Sequence, residues 1–258
     1  MPDSGHKQNR KLWNEIADVH YYHPGYKVKE FLQGQCPLKS LELSALGDVT
    51  GKKLLHLFCH FGKDSLAWSR RGAIVTGVDI SDRSIELANL LKNDAHLKAE
   101  FVRSDVLELI GKIDDRFDII IQTYGTHCWI SDLDRWAEVV AHYLLKGGTF
   151  LIVDIHPMSN VMLEEGLSYF DTEPQRYAGE KDYCDREYTI EEDSVEYPHT
   201  LADMINALIR AGLTIEQVEE YNKLCYAREE DWNEKDGYYY PPDGPTPYPL
   251  MFLIKAKG

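Results

Sequence analysis

Apolar and polar positions along the chain switch between two periods, and the clearest switch lies early. Residues 53–58 form an apolar strand, a tight turn runs through Gly62, a short helix stops at Gly72, and a second apolar strand closes on Asp79. The pattern predicts a βαβ unit with a carboxylate at its carboxyl edge. Such an edge is a nucleotide site: turn N–H groups face the ligand, and the acid can accept from ribose hydroxyls.

The alternation continues downstream. Ser81 is a plausible N-cap for a helix with Ile85, Ala88 and Leu91 as its stripe. A short strand over 99–102 finishes at Ser104 and Asp105, and 117–121 is apolar except for Asp118, as expected of a strand buried on both faces. Ser131 with Asp134 reads as a capping box for a helix bearing Leu133, Trp136, Val140, Tyr143 and Leu144. Lys146, Gly147 and Gly148 predict its end, with a strand over 149–155. Thr200 and Asp203 cap a further helix ended by Gly212, and strands are expected over 214–221 and 250–256. The regular alternation predicts an α/β sheet covered on both faces.

Three stretches break the pattern. Residues 1–8 read as a disordered start, followed by a short amphipathic helix with Leu12, Trp13 and Ile16 on one face. The aromatic run from His20 to Tyr26 can fold over a ligand, and helices over 27–33 and 38–46 lead into the core, so 1–48 is an arm or cap to a domain over 49–258. Residues 156–199 and 222–249 are aromatic, acidic and interrupted by proline, and read as substrate-side insertions.

Composition narrows the chemistry. A net charge of -15, with no Lys/Arg cluster, disfavours nucleic acid. Five cysteines without a Cys-x-x-Cys pair suggest neither a disulfide framework nor a zinc knuckle. The polar start and the lack of a long apolar run predict no signal peptide and no membrane anchor, hence a cytoplasmic location. Oligomeric state is not legible.

The first turn, His56, Leu57, Phe58, Cys59, His60, Phe61, Gly62, Lys63 and Asp64, together with Asp79, resembles the cofactor-binding core of class I S-adenosylmethionine-dependent methyltransferases. The likeness is to a bacterial branch reading His-Leu-x-Cys-His-x-Gly-x-Asp, where the common pattern has an acid and three glycines. It implies a Rossmann-like seven-stranded sheet of order 3-2-1-4-5-7-6 with strand 7 antiparallel. It also implies S-adenosylmethionine as cofactor, S-adenosylhomocysteine as product and a small-molecule methyl acceptor. The cofactor positions are then Phe58, His60, Gly62 and Asp64, with Asp79 and Ile80 at the ribose, Ser104, Asp105 and Val106 at the adenine, and Gln122, Thr123 and Tyr124 at the methionine end. Tyr124 and His127 are the catalytic candidates, with His156 and His20 as further possible bases; Tyr22, Trp129 and His156 face the acceptor.

Two rival classes remain. A nicotinamide dehydrogenase needs Gly-x-Gly-x-x-Gly, and Phe58, His60 and Lys63 stand in those places. A catalytically inactive binding protein would keep the fold and lose turnover. His56, Cys59 and His60 lie close in sequence, but no second ligand pair accompanies them, so no metal is expected.

Overall fold

The computed structural model describes residues 4–163 and 166–258. Its main sheet contains β1 (Lys53–Leu57), β2 (Ile74–Asp79), β3 (Ala99–Arg103), β4 (Phe117–Thr123), β5 (Leu144–Ile155), β8 (Thr214–Tyr221) and β11 (Met251–Lys257). The order is β3-β2-β1-β4-β5-β11-β8, and β11 runs antiparallel to both neighbours. This is the expected order. In β1 and β4, Leu54, Leu55, Leu57 and Ile119 to Ile121 are buried because helices cover both faces of the sheet.

One face carries α6 (Leu133–Tyr143) and α8 (Leu201–Arg210), packing Trp136, Val140, Met204 and Leu208 against the strands. The other carries α4 (Lys63–Arg70) and α5 (Asp82–Asp94), which bury Leu66, Trp68, Leu87 and Leu91. The expected caps of two helices are present: Ser81 Oγ accepts from Ser84 N–H at 3.0 Å, and Thr200 and Asp203 form a capping box. α6 differs. Its cap is Asp132, not Ser131, with the Asp132 carboxylate accepting from Arg135 N–H at 2.9 Å. β5 also begins earlier than expected, at Leu144, which pairs with Phe117; the register then jumps across residues 145–148, where Gly147 takes φ 77°, and pairing with β4 resumes at Thr149 opposite Ile119.

The start of the chain departs most from expectation. Residues 1–3 lie outside the described residues, but 4–8 belong to a 19-residue helix, α1 (Ser4–Tyr22). Its inward positions His6, Asn9, Leu12, Ile16 and His20 recur at helical spacing. α2 (Val28–Leu32) and α3 (Ser40–Leu46) follow as expected. The two irregular stretches hold small ordered pieces: α7 (Pro157–Leu163), an antiparallel pair β6 (Gln175–Tyr177) and β7 (Ser194–Glu196), and a hairpin of β9 (Asn233–Lys235) and β10 (Tyr238–Tyr240). α1 docks on β7 through Asn9, whose amide donates to Val195 O at 2.8 Å and accepts from Val195 N–H at 2.8 Å.

Candidate active site

A cavity of about 1160 Å³ opens at the carboxyl ends of β1 to β4. α1, the turn after β1, the loop after β4 and both insertions contribute to its wall. Its position is the one open α/β sheets use for ligands.

The turn after β1 keeps a glycine-like backbone under large side chains. Phe58 and His60 hold φ of 56° and 51°, and Gly62 follows at 71°. Only Gly62 is compelled to be small, since a Cβ there would lie 2.5 Å from the Phe101 ring. Phe58 packs against the core, and His60 is held in place by hydrogen bonds. His60 N–H donates to Asp79 Oδ2 at 2.8 Å, His60 Nδ1 lies 3.0 Å from Ser84 Oγ, and its Nε2 lies 2.9 Å from His20 Nδ1. Burial pushes the His60 imidazole well below its ordinary range, so it is a neutral ring. His20 continues the chain inward: its Nε2 meets Asp182 Oδ2 at 2.8 Å, both side chains fully buried, and Tyr26 Oη lies 3.1 Å from Nδ1. The first turn, the arm and the long insertion are thereby tied into one polar network.

Asp79 is 8% exposed and lines the cavity. Its Oδ1 accepts from Ser81 N–H at 2.9 Å. Burial raises its carboxyl from 3.8 to about 6 against those hydrogen bonds. Asp64 in the first turn of α4, Ile80 and the buried Val106 also line the wall. Ser104 lies there too, but its hydroxyl is used, donating to Asp105 O at 2.7 Å and accepting from Lys112 Nζ at 2.9 Å. Asp105 accepts from Leu107 N–H at 2.9 Å through Oδ1, while Oδ2 meets His6 Nδ1 at 2.6 Å.

After β4, Thr123, Tyr124, His127 and Trp129 reach the cavity. Gln122 does not line it. Its amide is consumed in the core, accepting from Trp136 Nε1 at 2.9 Å and donating to Thr126 Oγ1 at 2.9 Å. The Tyr124 hydroxyl donates to Glu42 Oε2, and Glu42 Oε1 accepts from Lys39 N–H at 2.5 Å. Burial raises the Glu42 carboxyl from 4.5 to about 7 despite both donors. His127 Nδ1 stands 3.5 Å from Asp154 Oδ2. Asp154 organises the whole loop: it accepts from the N–H groups of Gly125, Thr126 (2.9 Å), His127 (3.0 Å) and Ile155 (2.7 Å), and from Thr126 Oγ1 (2.6 Å). Burial would push its carboxyl up, but the neighbouring His127 imidazole first, and then these donors, hold it below the usual range.

Two acceptor-side expectations fall elsewhere. Tyr22 is 67% exposed on the outer side of α1 and does not line the cavity. His156 is buried outside it, with Nδ1 accepting from Met158 N–H at 3.0 Å and Nε2 at 2.9 Å from Glu220 Oε1. Trp129 stays at the site, its indole N–H donating to Gly125 O at 2.9 Å and its ring edge-on to Trp13. Sequence reading missed His6, Glu42, Asp154 and Asp182. Asp154 had a signal, an acid inside an apolar strand, and Glu42 had another, an acid at the third position of a helix. Among the described residues no three His, Cys, Asp or Glu side chains converge as metal ligands.

Residues 54–148 match the family described as "Methyltransferase domain". An uncharacterized protein of Haemophilus influenzae is 26% identical over 85% of this chain and 86% of its own length. A ubiquinone biosynthesis O-methyltransferase of Saccharophagus degradans is 30% identical over 33% of this chain, a match spanning only 36% of that protein. An S-adenosylmethionine dependent methyltransferase from Mesorhizobium loti aligns in structure with a TM-score of 0.57 at 22% identity, covering 88% of this chain and 100% of that one. The chain thus carries a methyltransferase-domain match at its centre and has the fold of S-adenosylmethionine-dependent methyltransferases.

Proposed function

We propose that the protein is an S-adenosylmethionine-dependent methyltransferase acting on a small-molecule acceptor and releasing S-adenosylhomocysteine. The observation that carries the reading is Asp79, a buried carboxylate at the end of β2 facing the cavity beside a turn of glycine-like backbone. A carboxylate offers about four lone-pair sites, and two N–H groups occupy two of them. The remaining two suit the paired hydroxyls of a ribose, so the group fits the residues present.

Bound there, S-adenosylmethionine supplies an activated methyl carbon. The chain's task is to align an acceptor and exclude water. In this reading Phe58, His60, Gly62 and Asp64 cradle the amino-acid end, and Ile80 and Val106 flank the base. Thr123 and Tyr124 face the methionine end, and Trp129 closes the acceptor side. Tyr124, backed by Glu42, is the group best arranged to relay a proton from an acceptor hydroxyl: burial and Glu42 keep its phenol protonated, so it takes the acceptor's proton as it passes its own to Glu42, a carboxyl that titrates near neutrality. His127 is the alternative base. The O-methyltransferases among partial relatives put hydroxyl acceptors first in any screen. The charge of -15 favours small molecules over polyphosphates.

Transfer from methyl-labelled S-adenosylmethionine to a panel of phenols, alcohols, amines and thiols tests the reading. The expected result is a product from one class, with Tyr124→Phe lowering kcat roughly 10²- to 10⁴-fold if the acceptor carries a dissociating proton. Binding of the cofactor without turnover on any class contradicts the enzymatic part.

A further inference from the structure

The imidazole of His6 sits where the resemblance places the adenine, and it is only half used. Its Nδ1 lies 2.6 Å from Asp105 Oδ2, with both residues buried. A carboxylate can only accept, so the proton of this bond belongs to Nδ1, and in the tautomer that this bond selects for a neutral imidazole Nε2 is the acceptor. That nitrogen is buried and has no hydrogen-bond partner among the described residues. The ring is 5% exposed and forms part of the cavity wall with Asn9, Ile80, Asp105 and Val106. Its orientation is fixed from both sides, by Asp105 and by edge-on contact with Tyr197 at 5.7 Å. A buried polar atom without a partner costs roughly 1–3 kcal/mol, so a fixed, unpartnered acceptor in a cavity wall is matched to a donor arriving with the ligand.

We propose that His6 Nε2 accepts a hydrogen bond from the 6-amino group of the cofactor's adenine, with Asp105 acting behind it as the group that sets the tautomer. The inference rests on the cofactor reading above and deepens it. Asp105 is then a positioning residue: its two oxygens are already taken by His6 and by Leu107 N–H. The specificity for adenine is carried by the amino-terminal helix, which engages the base directly, and cofactor binding and docking of α1 become linked.

The test uses the full chain, S-adenosylhomocysteine, and S-inosylhomocysteine, in which the 6-amino donor is replaced by a carbonyl acceptor. By calorimetry, wild type is expected to prefer the adenine ligand roughly tenfold or more, and His6→Phe, which keeps the ring volume, to lose that preference. A second measurement on unmodified protein needs no variant: the His6 Nε2 nitrogen resonance should move on saturation with S-adenosylhomocysteine and move less with the inosine analogue. An unmoved resonance, or a His6→Phe variant that discriminates as wild type does, overturns the inference while leaving the cofactor reading intact. Failure of wild type to bind S-adenosylhomocysteine overturns the cofactor reading itself.

Discussion

Glu42 and Asp154 are buried carboxylates with opposite shifts, and the difference lies in their partners: Asp154 has the His127 imidazole beside it and more donors than Glu42. Glu42 has two, too few to offset burial, and its carboxyl rises from 4.5 to about 7. The native state therefore holds this proton where the unfolded chain has lost it. Its contribution to stability is complete below pH 4.5 and is lost as pH rises toward 7, a change on the order of 3 kcal/mol. Urea unfolding across that window should show stability falling with pH, and Glu42→Gln should flatten the fall; an unchanged slope contradicts the assignment. Asp154 collects five donors and sits below the usual carboxylate range, so its contribution is present above the unfolded value and is lost only in acid, as pH falls through the depressed native one. In Asp154→Asn an amide NH2 would face backbone N–H groups. A loss of roughly 3–5 kcal/mol in chemical unfolding is expected, against less than 1 kcal/mol if the loop is held by other contacts. Neither role was readable in sequence, because each depends on partners brought from other elements: Tyr124 for Glu42, and residues 125–127 for Asp154.

The elements differ in how openly the sequence displays them. β1, β2, β4 and β11 are short, mostly apolar runs broken by one or a few polar residues such as His56, Thr76, Asp118 and Lys255, so strand type and the doubly covered sheet are legible from residues such as Ile119 to Ile121. The order of the strands came from the resemblance, since the antiparallel last strand has no signature in periodicity. α1 was read too short because its inward face begins with His6 and Asn9, polar residues whose partners, Asp105 and Val195, are about 100 and 190 residues away. Those buried polar contacts anchor it more than its surface ion pairs, Arg10 with Asp82 and Arg83 with Asp18, which are half exposed and contribute little. Asn9→Ala leaves both Val195 backbone groups without their side-chain partner. Hydrogen exchange should then accelerate in α1 and β7 while the amides of β1 and β4 keep their protection. Acceleration throughout the sheet would mean that the arm is part of the cooperative core.

At the scale of the molecule, the cavity is assembled by distant parts of the chain meeting over the strand ends. The sheet edge, Asp79 and the turn at Gly62 were visible in sequence, as one contiguous βαβ unit. The roof was expected only in outline, from the His20 to Tyr26 run and the 156–199 insertion; its contacts were not legible, because the His60, His20 and Asp182 network joins residues separated by 40 and 162 positions. Local direction explains the three that lie outside the cavity wall: strand phase turns Gln122 into the core while its neighbour Thr123 lines the wall, Tyr22 is exposed at the end of α1, and His156 follows the last residue of β5. Every functional reading nonetheless converges on one contact, Asp79 with a ribose diol. Calorimetric titration of S-adenosylhomocysteine into wild type and Asp79→Asn measures it directly. Single-site binding by wild type, weakened roughly 10- to 100-fold in a variant of unchanged thermal stability, is the predicted result; equal affinity in the two proteins, or none in wild type, would contradict it.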